Sequence, residues 1–351
     1  MKTKKCVSIA FLGVLAIVML ILFGSITLNN YSANFDDLSN TDKKVLMEYD
    51  EYCKANANSP IWDGFKLEDK TVLVIDKNIF GNAYLINPKN EVNSIFAKKI
   101  KMPEGSSLEV YRVSGFYPLL LPMKYFMGSF NTIGNSYSLL GNEVYFTTYN
   151  RKDSVDKEFT SKHFITFLSH EAFHYYMQLN WANGTRFIGD LSEKDLSLLQ
   201  QEYELLDLIH AEMEKASPSK DTLMKYAKDY VSVVDQRIAA NEAYLNKELS
   251  METAEGTATY VGIKASEIVN YDYGIMYFKN AKDVPFADII PMLESGGVDV
   301  SMLSDVIPYF TGAQLCLLFD ALQIPNWKAK LNEQTLSTPV TLYSLLKEFT
   351  D

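Results

Sequence analysis

Four histidines occur in 351 residues, and two of them bracket a glutamate in the pentapeptide HEAFH, His170 to His174. Histidines four apart on a 3.6-residue turn lie on one helix face, about one turn from each other. That separation suits two ligands of one tetrahedral zinc ion. Glu171 is rotated about 100° round the same helix, so its carboxylate flanks such a metal without binding it. A general base that deprotonates metal-bound water needs that position. The spacing therefore predicts a Zn2+ site with His170 and His174 as ligands and Glu171 as the catalytic residue. His163, seven residues earlier and a full turn further off, reads as a polar residue at the helix start.

A catalytic zinc takes three protein ligands and keeps one position open. A third histidine in the short extension HExxHxxGxxH would need Gly at 177 and His at 180, where the chain has Met177 and Asn180. A carboxylate on a later helix is the other common solution. The segment METAEGTATYVG at 251–262 stands out, with Glu255 followed by Gly256, Ala258 and Tyr260. Glu252, one turn earlier on the same face, and His210 in LLDLIHAEMEK remain alternatives. His210 is surrounded by Glu202, Glu204, Asp207, Glu212 and Glu214, which read as a solvated acidic face, as do Glu242 and Glu248.

HEAFH followed by AEGTATY resembles the gluzincin metallopeptidases, the thermolysin and membrane-alanyl-aminopeptidase-like superfamily. There HExxH supplies two ligands and a downstream Glu the third, in the aminopeptidase branch within a stretch of the type N-E-G-F-A-x-Y. The resemblance implies His170, His174 and Glu255 as ligands of Zn2+, Glu171 as base, and a peptide or protein substrate. It also implies an edge strand that holds substrate backbone, for which Glu143 to Thr148 (EVYFTT) is placed shortly before the HExxH helix. The motifs cover under twenty residues, and two features depart from the pattern. The interval from His174 to Glu255 is 81 residues, against about twenty in the best-known members. Thr259 stands where thermolysin-like enzymes carry an Asp that orients a ligand histidine. The aminopeptidase motif of G-A-M-E-N type is absent, which withholds an exopeptidase assignment. Tyr309 is a candidate phenol for oxyanion stabilisation, whereas Tyr175, Tyr176 and Tyr260 are expected to pack.

The elements that must position these residues fall in two textures. From residue 70 to 150 short β-branched and aromatic runs (TVLVID, NAYLI, EVYRV, EVYFTT) alternate with Gly, Asn and Pro. From Phe159 onward the apolar spacing is helical, with helices expected at about 160–179, 191–216, 219–248, 250–269, 301–307, 311–323 and 341–349. The order predicts an α+β fold: a small β-rich subdomain at 61–150, then a mainly helical zincin-like catalytic domain at 151–351. Helices 191–216 and 219–248 then form an insertion that must return the next helix to the metal.

Residues 1–28 are of another kind. Lys2, Lys4 and Lys5 precede an uncharged apolar run from Val7 to Leu28, long enough to span a bilayer. A cleavable signal peptide normally has a shorter apolar region and a small-x-small site, poorly matched by Phe23 to Thr27. The expectation is a signal-anchor in the cytoplasmic membrane, single-pass, with the catalytic part extracytoplasmic by the positive-inside rule; secretion after cleavage is the alternative. Residues 29–60 read as a polar tether and a short helix. Cys6 precedes the apolar run, so it is not a lipidation site at a cleavage point, and Cys53 and Cys316 are expected to be free.

The net charge of −11, from 33 basic and 44 acidic residues, argues against nucleic acid as a partner. Polar residues Lys162, His163, Ser169 and Gln178 interrupt the HExxH segment, which argues against an intramembrane protease. The reading is a membrane-anchored zinc metallopeptidase, with a catalytically inactive zincin-like envelope binding or scaffold protein as the alternative.

Overall fold

The computed structural model describes residues 2–31, 34–182, 186 and 191–351, with side chains described from residue 12 onward. Ser32 and Ala33 of the expected tether, and the side chains of Lys2, Lys4, Lys5 and Cys6, lie outside the described residues. The chain is mixed α+β and divides into two units. The first is Met1–Pro60, Lys66–Lys157 and His163–Ile165, and the second is Ile61–Phe65, Glu158–Lys162 and Thr166–Asp351.

The first unit begins with the apolar helix α1 (Lys2–Tyr31) and continues through α2 (Asn40–Asn58). Residues expected to be tether are therefore mostly helical, because Ser39 caps α2 by accepting from the Asp42 amide. Six strands follow: β1 (Val72–Asp76), β2 (Ala83–Ile86), β3 (Ala97–Lys99), β4 (Val110–Val113), β5 (Tyr137–Leu139) and β6 (Asn142–Tyr149). They form one sheet in the order β3-β4-β2-β1-β6-β5, antiparallel except for the parallel pair β1 and β6. Two short helices, α3 (Leu121–Tyr125) and α4 (Arg151–Ser154), flank β5 and β6 in the chain.

Every residue of β1 is buried, which is why VLVID reads as a continuous apolar run rather than an alternating one. On one face Leu73 and Ile75 join Leu85, Val113, Leu120, Met123 and Phe146 in a core. Each such side chain contributes about 1.5–3 kcal/mol through burial. Asp42 of α2 accepts from the Tyr149 hydroxyl at 2.5 Å, and Asp50 accepts from the backbone and hydroxyl of Ser107. His163 is fully buried in this unit, 3.3 Å from Glu48.

EVYFTT does form β6, but it is not an edge. One side pairs with β1, and on the other the Asn131 amide donates to the Phe146 carbonyl at 3.2 Å and the Thr148 amide to the Ser129 carbonyl at 2.8 Å. The expected substrate-binding strand is thus already paired along both sides.

The second unit is helical: α5 (Phe164–Met177, from Thr166), α6 (Glu193–Met213), α7 (Lys220–Ile268), α8 (Ile289–Glu294), α9 (Met302–Asp305), α10 (Ile307–Leu322), α11 (Trp327–Asn332) and α12 (Leu342–Thr350). Ser192 and Asp195 form a capping box at the start of α6. α7 does not stop near residue 249, as the sequence spacing suggested. It breaks once, at Asn241, whose φ and ψ are −151° and 67°. The Asn241 side chain then accepts from the Tyr244 amide and restarts the helix. Trp62, from the segment Ile61–Phe65, is fully buried in this unit against Phe173, Trp181, Tyr260 and Trp327. Cys53 and Cys316 are both free and buried, and burial pushes the Cys53 thiol up to about 12.

Candidate metal centre

α5 and the second half of α7 run antiparallel, and their register is held at both ends. At one end the hydroxyls of Thr166 and Ser266 lie 2.5 Å apart. At the other the Gln178 amide donates to the Ala254 carbonyl at 2.8 Å and to the Thr257 hydroxyl at 2.9 Å. Glycine makes the approach close: a Cβ on Gly262 would sit 3.2 Å from the Thr166 carbonyl oxygen. Gly256 has a different partner. A Cβ there would lie 2.4 Å from Gly312 Cα of α10, so the glycine of AEGTATY is explained by a helix crossing.

Between these two clamps His170, His174 and Glu255 converge. The His174 and His170 Nε2 atoms are 3.1 Å apart, His174 Nε2 is 3.1 Å from Glu255 Oε2, and His170 Nε2 is 3.4 Å from it. A tetrahedral zinc with ligands at 2.0–2.1 Å has edges of about 3.3 Å. The three atoms thus stand at the mutual distances of zinc ligands. Among the described residues, this is the group of His, Cys, Asp and Glu side chains arranged to hold a metal.

The hydrogen bonds of Gln178 decide the chemistry of His174. Because its amide nitrogen donates twice, Gln178 presents Oε1 to His174 Nδ1, 2.5 Å away. His174 therefore carries its proton on Nδ1 and directs the Nε2 lone pair at Glu255. Two acceptors in contact repel unless a cation or a proton lies between them. Burial lowers the basicity of His174, but the Glu255 carboxylate outweighs it and the pKa is raised. Burial likewise opposes ionisation of Glu255, yet the two imidazoles, when protonated toward it, hold the carboxyl well below its ordinary value. The trio is built around positive charge.

The base candidate sits on the neighbouring wall. Glu171, His170, Thr259, Phe167, Tyr309 and Phe310 help line one cavity of about 380 Å³ within the second unit. Burial raises the Glu171 pKa, partly offset by His170 and His174. Tyr309 at the start of α10 stacks on His170, with ring centroids 5.8 Å apart and an interplanar angle of 1°. Arg186 donates to its hydroxyl at 2.9 Å. Burial and then the Glu255 carboxylate push the phenol well above its usual value, so it stays protonated.

The alternative ligands are elsewhere. Glu252 is buried three residues from Glu255, and its pKa is raised to about 8, by burial first and then by Glu202. His210 lines a separate small cavity with Asp207, Met276 and Phe286. The acidic residues around it are not one solvated face. Glu202 is buried and accepts from Arg237 at 2.6 Å, Glu212 accepts from Lys215 and the Ser219 amide, and Asp207 accepts from the amides of Phe286 and Ala287. Glu248 also pairs with Arg237, at 2.6 and 3.0 Å, whereas Glu242 is exposed. Tyr260 packs, donating to Asp320 at 2.6 Å.

Sequence reasoning missed Gln178 and Arg186. The first had a readable signal, since it lies four residues after His174 on the same helix face. No protein-family model, curated protein or solved structure matches the chain.

Proposed function

We propose that this chain is a membrane-anchored zinc metallopeptidase with His170, His174 and Glu255 as metal ligands and Glu171 as general base. The observation that carries the reading is the convergence of three lone-pair atoms 3.1 to 3.4 Å apart, with the His174 tautomer set by Gln178. Zinc held by this trio would supply Lewis acidity, polarising a peptide carbonyl and making nearby water more acidic. The chain's own groups do the rest. Glu171, partly desolvated, takes a proton from water in the cavity and returns it to the leaving amine. Tyr309, held protonated, donates its hydroxyl hydrogen to the developing oxyanion. Gln178 holds the His174 ring in its ligating tautomer.

α1 supports the anchor. Leu12–Tyr31 is apolar, and 6% of that stretch is buried. The buried Arg112 donates to the carbonyls of Leu28 and Asn29 at 3.2 and 2.7 Å and to the Asn29 side chain at 2.9 Å. A guanidinium there caps the negative end of the helix dipole. Cleavage within residues 23–27 would leave at most about two turns of α1 (Lys2–Tyr31), too short to stay helical alone. We therefore read α1 as retained in the cytoplasmic membrane, with the remainder extracytoplasmic.

The test is metal content and hydrolysis of the full chain purified in detergent. One zinc per chain and chelator-sensitive cleavage of a peptide library are expected. Glu255→Ala should lose the metal and Glu252→Ala should keep it. Wild-type protein without stoichiometric zinc or cleavage would instead point to a non-enzymatic envelope scaffold.

A further inference from the structure

Residues 113–142 contain one charged residue, Lys124, in a chain that is 22% charged, and Lys124 is buried. Its ammonium donates to the carbonyls of Gly81 at 2.7 Å and Ile79 at 3.4 Å, tying the loop after β1 to α3. The side chains these loops display are large and apolar. Phe80 is 81% exposed, Phe126 84%, Ile79 68% and Leu119 63%. Phe80 and Phe116 rings lie 6.0 Å apart, which joins the β1 loop to the segment leading into α3, where the Tyr125 and Phe126 rings lie 6.4 Å apart. Exposed apolar surface of this extent marks a binding face, and the exposed Lys77 of the same loop, donating to the Ser129 hydroxyl at 3.1 Å, is a charge beside it.

The position of α1 identifies what covers it. The Ser25 and Ser114 hydroxyls are hydrogen-bonded, and Ser114 opens the segment that carries Phe116 and Leu119. Gly115 in turn approaches the Gly81 backbone so closely that a Cβ would meet the Gly81 oxygen at 2.0 Å. Ser25 lies inside the apolar run of α1, about 4.5 Å below its end at Leu28 by helix rise. Asn30 donates to the Ile95 carbonyl at 3.2 Å, and Ile95 is a further apolar side chain, 65% exposed. If α1 crosses a bilayer, the loops bonded to Ser25 are at the level where hydrocarbon meets headgroups.

We propose that Ile79, Phe80, Phe116, Leu119, Tyr125 and Phe126 form a membrane-docking surface, whose occupant is the outer leaflet around the emerging α1. The aromatic tips enter the boundary between headgroups and acyl chains, and Lys124 stays behind as a structural tie. The sheet unit then rests on the membrane instead of swinging from it. This proposal depends on α1 as a span and not on the zinc reading.

The test uses the full chain in phosphatidylcholine liposomes with and without bromine on the acyl chains. Tryptophan is introduced singly by Phe80→Trp, Phe126→Trp and, within α1, Leu20→Trp. All three positions are exposed, and the native Trp62, Trp181 and Trp327 are buried and give a constant background. Brominated lipid should quench all three new tryptophans about twofold or more, and aqueous iodide should quench those at 80 and 126 several-fold less than free tryptophan. Quenching at 20 with iodide-accessible, unquenched tryptophans at 80 and 126 would overturn the docking surface and leave the anchor intact. No bromine quenching at any position would remove the anchor, and the proposal with it.

Discussion

Two charged clusters share α7, and they solve the burial of acids in opposite ways. Near its middle, Glu202 and Glu248 enclose Arg237, with contacts of 2.6, 2.6 and 3.0 Å. The cation is part of the chain, and Arg237 holds its proton more tightly than usual because both carboxylates outweigh its burial. About two turns beyond Glu248, Glu255 meets two imidazoles, and His174 turns a lone pair toward it. There the reconciling charge must come from a proton or a metal. The difference separates a structural ion pair, complete in itself, from a trio whose charge balance is left to a proton or to the zinc proposed above.

Four changes would break or sharpen that contrast. The largest effect is expected from Glu171→Gln, which should lower peptide hydrolysis by about 10²–10⁴-fold while zinc content stays at the wild-type level; turnover assays beside metal analysis decide it. Retained full activity would remove Glu171 from the mechanism. Arg237→Ala should destabilise the fold by about 3–5 kcal/mol in denaturant melts, since two carboxylates lose their buried partner. Added zinc should not restore that loss.

Glu252 sharpens the contrast through pH. It faces Glu202, Glu248 and Arg237, with Tyr230 and Thr311 beside it, and its pKa of about 8 in the fold exceeds the ordinary value. The folded protein therefore binds this proton more tightly than the unfolded chain. The resulting stability is complete below about pH 4 and is lost as pH rises through about 8. Glu252→Gln should flatten this dependence, gaining about 1–3 kcal/mol relative to wild type between pH 5 and pH 8 in parallel melts. The smallest expected effect is that of Gln178→Leu, about 10–100-fold weaker zinc binding in chelator competition with the fold retained. Unchanged affinity would mean that the Gln178 bond does not orient His174.

HEAFH was readable because three groups of one chemistry sit within a single helical turn, where spacing alone sets direction. β1, β2, β4 and β6 were readable for a similar reason, as strands of four residues or more rich in β-branched and aromatic side chains. β3 and β5, at three residues each, fall below the length at which pattern separates from chance. The break at Asn241 went unseen because an asparagine inside a helical pattern caps or continues it according to backbone geometry. Glu202 and Glu248 read as solvated because acidic residues usually are, and Arg237, their partner, lies 35 positions from the first.

The sequence by itself determined the two histidines, the flanking glutamate, the uncharged apolar run and the β-then-α order, all patterns written in contiguous stretches of chain. Only the tertiary structure decided that Glu255 rather than Glu252 meets the histidines, that Tyr309 stacks on His170, and that β6 has no free edge. Each of those depends on helix rotation, glycine-mediated approach or pairing between segments far apart in the chain. Neighbouring positions on a helix differ by about 100°, so which carboxylate reaches the two histidines is set by how α7 packs against α5 and α10, and packing is not a property of any one segment.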